Sequence, residues 1–152
     1  MSRILVDADA CPVKEEIYRV ARRCGLGVTL VANAWMRTPP EPWLSLQLVG
    51  NDIDAADDWI VENIQPDDIV ITADIHLANR CLKGGVRVLG PTGKAFSDAS
   101  IGDSVAMRDL LAELRGSGEI TGGPPPISKR DRSLFLQKLN EIIQAIRRNK
   151  TG

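Results

Sequence analysis

The sequence predicts an α/β fold of three layers, in which helices cover both faces of a mostly parallel sheet of about five strands. Short, continuously apolar runs such as residues 4–6 and 69–71 are typical of strands that are buried on both faces. Stretches with apolar residues at helical spacing separate these runs as far as residue 90. Strands that alternate with helices in this way favour parallel pairing through helical crossovers.

The first half of the chain contains three predicted strands, at residues 4–6, 28–31 and 44–49. Pro12 suits the first turn of a helix between the first two strands, and Gly25 is a typical signal for the end of that helix. Pro39 and Pro40 indicate that residues 35–42 form a loop before the third strand.

The next helix is predicted to begin at Asp54, with apolar residues on one side. The remaining predicted elements of the core are strands at 69–71 and 86–89 and a short helix at 75–82. Asp67 and Asp68 lie in the turn before the fourth strand, so we expect both at the amino edge of the sheet and on the surface.

The last third of the chain is predicted to be a helical extension. Amphipathic helices are expected at 103–115 and 133–148, with a Gly/Pro-rich loop at 116–126 between them. The second helix carries an apolar stripe that we expect to pack on the domain or on a second copy of the chain: Leu134, Phe135, Leu139, Ile142, Ile143 and Ile146. Residues 1–152 are thus predicted to form one domain, with a parallel core in 1–90 and the extension in 91–152.

Composition is typical of a soluble globular protein, with 43% hydrophobic and 26% charged residues. No apolar run approaches the roughly 20 residues of a membrane span, and the N-terminus enters a strand directly, unlike a signal peptide. Cys11, Cys24 and Cys81 are an odd set with no C-x-x-C spacing, so a disulfide framework is not expected and a reducing cytoplasm is. Residues 127–152 are basic, which is typical of a solvated helix face or of a segment that attracts a polyanion.

Carboxylates cluster at three places where strands end or helices begin. Asp7 and Asp9 follow the first strand, Asp54 and Asp57 open a helix, and Asp74 follows the fourth strand. Strand carboxyl ends and helix amino ends share one edge of a parallel sheet, so these side chains can converge. Crowded carboxylates repel one another, and a divalent cation can offset that repulsion.

The ligand types favour Mg²⁺ or Mn²⁺ over zinc. His76 is the single histidine and the cysteines are scattered, whereas oxygen ligands are plentiful at the predicted edge. We interpret Cys11 as a small buried hydrophobe, and we expect His76 to face solvent or to pack locally.

Each predicted site residue also has a structural interpretation. Asp54 and Asp74 could cap their helices, and Asp57 and Asp58 could be first-turn acids that the helix dipole favours. Three further polar residues at the same edge could orient substrate, water or a site carboxylate: Asp9, Asn33 and Thr72.

These motifs resemble the YaiI/YqxD family, also called the uncharacterised UPF0178 family. The resemblance is carried by Asp7-Ala8-Asp9-Ala10-Cys11-Pro12, Val31-Ala32-Asn33, Asp54-x-x-Asp57, Ile71-Thr72-Ala73-Asp74 and Thr121-Gly122-Gly123-Pro124. His76 departs from the usual proline of the family, and position 58 is not uniformly acidic.

The family in turn resembles the PIN-like nuclease superfamily, in which acids at the corresponding places bind Mg²⁺ or Mn²⁺ and cut RNA or DNA. This resemblance implies the strand order 3-2-1-4-5 and assigns the metal and catalytic roles to Asp7, Asp74 and either Asp54 or Asp57. It also implies RNA or another phosphodiester as the partner of the site.

The first functional hypothesis is therefore a metal-dependent phosphodiesterase that acts on nucleic acid, with RNA favoured. An aromatic content of 4% and a net charge of −1 argue against extended stacking or general polyanion binding. One alternative is a haloacid-dehalogenase-type phosphatase with Asp7 as nucleophile, since Asp7-x-Asp9 follows the first strand. Another is a non-catalytic module that binds RNA or protein.

Overall fold

The computed structural model describes residues 2–52, 54–97 and 127–151, and within them all five predicted strands are present. In chain order the elements are β1 (Arg3–Asp7), a 3₁₀ turn (Ala8–Ala10), α1 (Lys14–Cys24), β2 (Gly27–Ala32), β3 (Leu44–Leu48), α2 (Ala55–Asn63), β4 (Ile69–Ile71), α3 (Ile75–Lys83), β5 (Arg87–Leu89) and α4 (Lys129–Thr151). The helix predicted at 103–115 and the loop predicted at 116–126 lie outside the described residues.

The five strands form one parallel sheet in the order β3-β2-β1-β4-β5, as the superfamily resemblance implies. β1 is central: Ile4 pairs in register with Val28 of β2 on one side and with Ile69 of β4 on the other. The chain moves outward from β1 through β2 and β3, then returns to place β4 on the other side of β1. The carboxyl ends of β1 and β4 therefore flank the topological switch point, where parallel α/β sheets usually bind ligands.

Helices pack on both faces of the sheet, as predicted. Successive residues of a strand point to opposite faces, so Ile4 and Val6 join a core with α1 and α4, whereas Leu5 joins a core with α2 and α3. All three side chains have no exposed surface. These two cores hold β1 rigidly between them, and its carboxyl end is therefore a firm support for Asp7.

Helix α4 begins four residues before its predicted start because a capping box precedes it. The Ser128 hydroxyl accepts a hydrogen bond from Asp131 N (3.1 Å), and the Asp131 carboxylate accepts one from Ser128 N (3.2 Å). The apolar stripe packs on the domain, with Phe135 and Leu139 fully buried. Leu134 packs least deeply, since it lies against Gly93 but keeps 40% of its surface exposed. None of the helices described is both long and apolar enough to cross a membrane.

The predicted surface position of Asp68 is wrong. Only 1% of Asp68 is exposed, and its Oδ2 accepts hydrogen bonds from Arg3 Nε (3.2 Å) and Gln65 N (2.9 Å). Asp68 does lie at the amino edge of the sheet, as expected. There it joins the start of β1 to the turn before β4, through a partner that is distant in sequence.

Candidate acidic cleft

An open cleft of about 540 Å³ lies at the carboxyl edge of the sheet, between the ends of β1 and β2 and the first turns of α2 and α3. Five acids line it, together with an amide and two residues that can carry positive charge. The lining residues are Asp7, Asp9, Asn33, Asp54, Ala56, Asp57, Asp74, His76 and Arg80. The fold thus brings the predicted site residues to one place, except Thr72, which lines an adjoining cavity.

Thr72 connects the two strand-end aspartates. Its hydroxyl donates a hydrogen bond to Asp7 Oδ2 (3.0 Å) and accepts one from Asp74 N (3.0 Å). The Thr72 side chain is almost completely buried, at 2% exposure, so it has little freedom to rotate away. The hydroxyl therefore fixes both the orientation of the Asp7 carboxylate and the start of the turn that carries Asp74.

Asp74 caps α3, which confirms the structural interpretation that the sequence left open. Its Oδ1 accepts hydrogen bonds from His76 N (2.8 Å) and Leu77 N (3.3 Å) at the first turn of the helix. A carboxylate at this position also interacts favourably with the helix dipole. Capping and a role in the cleft are compatible, because Asp74 also lines the cleft wall.

Asp54 differs from Asp74, although both occupy the N-cap position of a helix. The Asp54 side chain makes no capping hydrogen bond to α2, so its predicted structural role as a side-chain cap is wrong. It is exposed and faces the cleft instead. One turn further along, Asp57 is half-buried in the same wall.

The cleft carries negative charge that the described residues only partly offset. Burial, followed by the charges of Asp74, Asp7 and Asp54, raises the pKa of Asp57 from 3.8 to about 6, although Arg80 opposes the shift. Burial also raises the pKa of Asp7; the Thr72 hydrogen bond lowers it, and the charges of Asp74 and Asp9 raise it further. Both carboxylates thus hold protons more tightly than isolated aspartates do.

Asp9 and Asn33 support the rim of the cleft. Asn33 N donates to both oxygens of the Asp9 carboxylate (2.9 and 3.2 Å), and Asn33 Nδ2 donates to the carbonyl oxygen of Gly50 (2.7 Å). These bonds connect the segments that follow β1, β2 and β3. The side chain of Asn33 therefore has a structural role, since one of its two amide N–H groups is already bonded.

Arg80 also lines the cleft, although no sequence motif predicted it there. Arg80 Nη1 donates to Asp58 Oδ1 (2.9 Å), and about half of each side chain is exposed. Asp58 itself does not line the cleft. His76 and Arg80 are four residues apart on α3, so they share one face of that helix. The i, i+4 spacing of His76 and Arg80, directly after Asp74, is the feature of the sequence that could have predicted Arg80 in the cleft.

Cys11 lies in an adjoining cavity of about 260 Å³, which it shares with Asp7, Thr72 and Asp74. Burial is the main cause that raises the pKa of the Cys11 thiol, so the thiol stays protonated at neutral pH. The side chain also packs against the core beneath α1. These observations agree with its interpretation as a small hydrophobe.

The donor chemistry of the cleft suits a hard divalent cation, because carboxylate oxygens are the ligands that Mg²⁺ and Mn²⁺ prefer. Within residues 2–52, 54–97 and 127–151, however, no group of three or more His, Cys, Asp or Glu side chains is assembled so that it could hold an ion. The acids surround the cleft instead of meeting at one point.

Fold and site together define a class: an α/β protein with a five-stranded parallel sheet and an acidic cleft at its topological switch point. The chain belongs to the family described as "Uncharacterized BCR, YaiI/YqxD family", whose model matches residues 5–145.

Curated relatives match over nearly their whole length. A UPF0178 protein of Rhodopseudomonas palustris (strain BisB5) is 56% identical over 99% of this chain and 92% of its own. A UPF0178 protein of Nitrobacter winogradskyi is 53% identical over 96% of this chain and 93% of its own. A UPF0178 protein of Bradyrhizobium sp. (strain ORS 278) is 52% identical over 98% of this chain and 91% of its own. No solved structure matches the chain significantly.

Proposed function

We propose that this protein is a divalent-cation-dependent phosphodiesterase that cleaves nucleic acid, with RNA as the favoured substrate. The observation that carries the proposal is the convergence of Asp7, Asp54, Asp57 and Asp74 on one open cleft at the switch point of the sheet. The charges of neighbouring acids contribute to the raised pKa of Asp7 and of Asp57. Acids that repel one another in an open cleft are a common mark of a functional site. The resemblance to PIN-like nucleases assigns the same residues to phosphodiester cleavage.

In this proposal Asp7, Asp74 and either Asp54 or Asp57, which surround the cleft without meeting at one point, would hold Mg²⁺ or Mn²⁺ between them. The cation, when bound, supplies the positive charge that stabilises the oxygens of a phosphate undergoing displacement. Thr72 keeps Asp7 in one orientation through its buried hydroxyl. The capping hydrogen bonds from α3 do the same for Asp74.

Two side chains of the cleft can act on the substrate directly. If Asp54 completes the cation site, Asp57 is left to act on water: its pKa is about 6 in the metal-free protein, so it is ionised at neutral pH and can accept the proton of an attacking water. Arg80 can turn its guanidinium from the exposed Asp58 carboxylate to a substrate phosphate, which it can bind through two parallel hydrogen bonds.

The proposal is tested with labelled RNA and DNA oligonucleotides in Mg²⁺, in Mn²⁺ and in EDTA. We expect cleavage with either metal and none in EDTA. Asp7→Asn should slow cleavage by roughly 10²–10³-fold, the cost of losing one electrostatic group in an active site. The matched control is Asp67→Asn, at the opposite edge of the sheet; asparagine tolerates the left-handed backbone there (φ 73°), and activity should not change.

Two outcomes would favour the alternatives. A phosphoryl group trapped on Asp7, with phosphate monoesters hydrolysed and oligonucleotides intact, would support a haloacid-dehalogenase-type phosphatase. Oligonucleotide binding without hydrolysis, whatever the metal, would support a non-catalytic module.

A further inference from the structure

All six aromatic residues of the chain lie in the part that the structure describes. Among them, only Trp35 has an exposed side chain. Its exposure is 73%, whereas Tyr18 and Phe135 are buried and the remaining aromatic residues are half-buried. An indole in water gives up the burial that makes tryptophan stabilising in a core. The fold therefore does not use Trp35 for packing, which leaves its π-face available to a ligand.

Trp35 belongs to the segment that leaves the wall of the acidic cleft, although it does not itself line the cleft. It follows Asn33 by two residues, and Asn33 lines the cleft wall. Two residues of extended chain span at most about 7 Å, so the two α-carbons are no further apart than that. A nucleotide next to a phosphate in the cleft is within reach of the indole.

The segment that carries Trp35 is braced on both sides. Asn33 is held by Asp9 and by the carbonyl oxygen of Gly50, and Met36 packs against the core. Further along, Glu41 N donates to the carbonyl oxygen of Pro39 (2.9 Å). Because the loop is already ordered, a ligand that contacts Trp35 pays little for fixing it.

A cation accompanies the aromatic ring. Arg37 is exposed on the same segment, two residues beyond Trp35. Sites for single-stranded nucleic acid combine an aromatic platform, on which a base stacks, with basic side chains that follow the backbone. The charge of the cleft itself is mostly negative. Beside it, Arg37 supplies a positive charge that attracts phosphate, and Trp35 supplies a ring on which a base can stack.

We propose that Trp35 is a stacking platform for an unpaired base beside the scissile phosphodiester, and that Arg37 contacts the neighbouring phosphate. This inference rests on the proposed function for the adjoining cleft and adds a substrate class to it, namely strands with unpaired bases. A duplex offers no free base face along its length, so it should bind more weakly than a single strand.

The test measures binding of a short fluorescein-labelled oligouridylate by anisotropy, with Ca²⁺ in place of Mg²⁺ to limit turnover. Trp35→Ala should weaken binding roughly 5- to 150-fold, the range for losing one stacked base. Trp35→Phe should stay near the wild type, because a stacking face remains. Arg37→Ala should reduce the slope of log affinity against log salt concentration by about 1, the value for one lost phosphate contact. The matched control is Leu134→Ala, an exposed apolar side chain on α4, which should bind as the wild type does.

A spectroscopic measurement distinguishes the loss of a stacked base from the loss of apolar contact area when Trp35 is truncated. Unlabelled oligouridylate should quench wild-type tryptophan fluorescence, and Trp35→Phe should lose that quenching while keeping its affinity. The inference is overturned if the wild type does not bind the single strand, or if Trp35→Ala binds it as tightly as the wild type does. It is also overturned if Trp35→Phe loses as much affinity as Trp35→Ala. A wild-type dimer that Trp35→Ala dissociates without loss of binding would also overturn it and assign Trp35 to a second copy.

The two proposals fail in different ways. If single strands bind through Trp35 but no metal supports cleavage, the hydrolytic function fails and the platform stands. If Asp7→Asn abolishes cleavage but Trp35→Ala leaves affinity and KM unchanged, the platform fails and the nuclease stands.

Discussion

Buried or half-buried aspartates lie at both edges of the sheet, but their surroundings differ. At the amino edge, Asp68 is buried against the Arg3 guanidinium and accepts a second hydrogen bond from Gln65 N. At the carboxyl edge, Asp57 faces Asp7, Asp54 and Asp74, with Arg80 as a partial counterweight. A buried acid with a dedicated cation is destabilising to disrupt, whereas acids that face each other cost stability until a ligand offsets their charge. The partner, more than the depth of burial, distinguishes the two roles.

The largest expected effect on stability is at the amino edge. Asp68→Asn removes the charge that pairs with Arg3, and breaking a charged hydrogen bond at a buried group costs about 2–3 kcal/mol. Chemical denaturation should show this loss, with no change in catalytic rate per folded molecule. An unchanged midpoint would mean that the Arg3–Asp68 pair contributes nothing net, and the comparison of the two edges would fail.

Thr72→Val should produce the next largest effect, at the carboxyl edge. Valine matches threonine in shape but cannot donate to Asp7 or accept from Asp74 N, so we expect a loss of about 1–2 kcal/mol. The pKa of Asp7 should also rise further, because the hydrogen bond that lowers it is gone. NMR titration of the Asp7 carboxyl in the metal-free protein measures the shift, and Thr72→Ser should restore the wild-type value.

Asp57→Asn should have the opposite sign to Asp68→Asn. Its pKa is about 6 in the folded protein and 3.8 unfolded, so the proton favours the folded state and wild-type stability falls as pH rises between those values. Without metal the variant should therefore be more stable than wild type above pH 6, by about 1 kcal/mol after solvent screening, and the gain should vanish below pH 3.8. Thermal melts in EDTA across this range measure the difference.

Glu62→Gln is the control for Asp57→Asn, since Glu62 is an exposed acid of α2 that does not line the cleft. It should show no such pH dependence. If Asp57→Asn also shows none, the raised pKa of Asp57 is wrong.

Arg80→Ala should have the smallest effect on stability, below about 0.5 kcal/mol, because both partners of its ion pair are exposed. Its functional effect should be larger: KM for an oligonucleotide should rise with kcat little changed. Lys138→Ala is the matched control, since Lys138 forms a similar exposed pair with Glu141 (3.5 Å) on α4, and neither residue lines the cleft. Equal KM values for both variants would remove Arg80 from the substrate site.

Local signals in the sequence were sufficient for the elements and for their order along the chain. Apolar runs indicated each strand, and Gly25 ends α1 in the left-handed conformation, at φ 69°. The carboxylates Asp7, Asp54, Asp57 and Asp74 could be assigned to one edge, because strand ends and helix starts share an edge in a parallel sheet. The Ser128–Asp131 box was also readable as a helix start, one turn before the apolar stripe begins.

Only the tertiary structure decided which acids of the chain pair with a cation and which repel one another. The partner of Asp68 is Arg3, which is 65 residues away in the chain, and the bond from Thr72 to Asp7 spans the same separation. A pKa depends on burial and on charges from other elements, so local sequence cannot supply the value for Asp57. The exposure of Trp35 and the entry of Arg80 into the cleft follow from the same long-range packing. By itself the sequence determined the residue types and the sheet edge; the through-space distances determined their electrostatics.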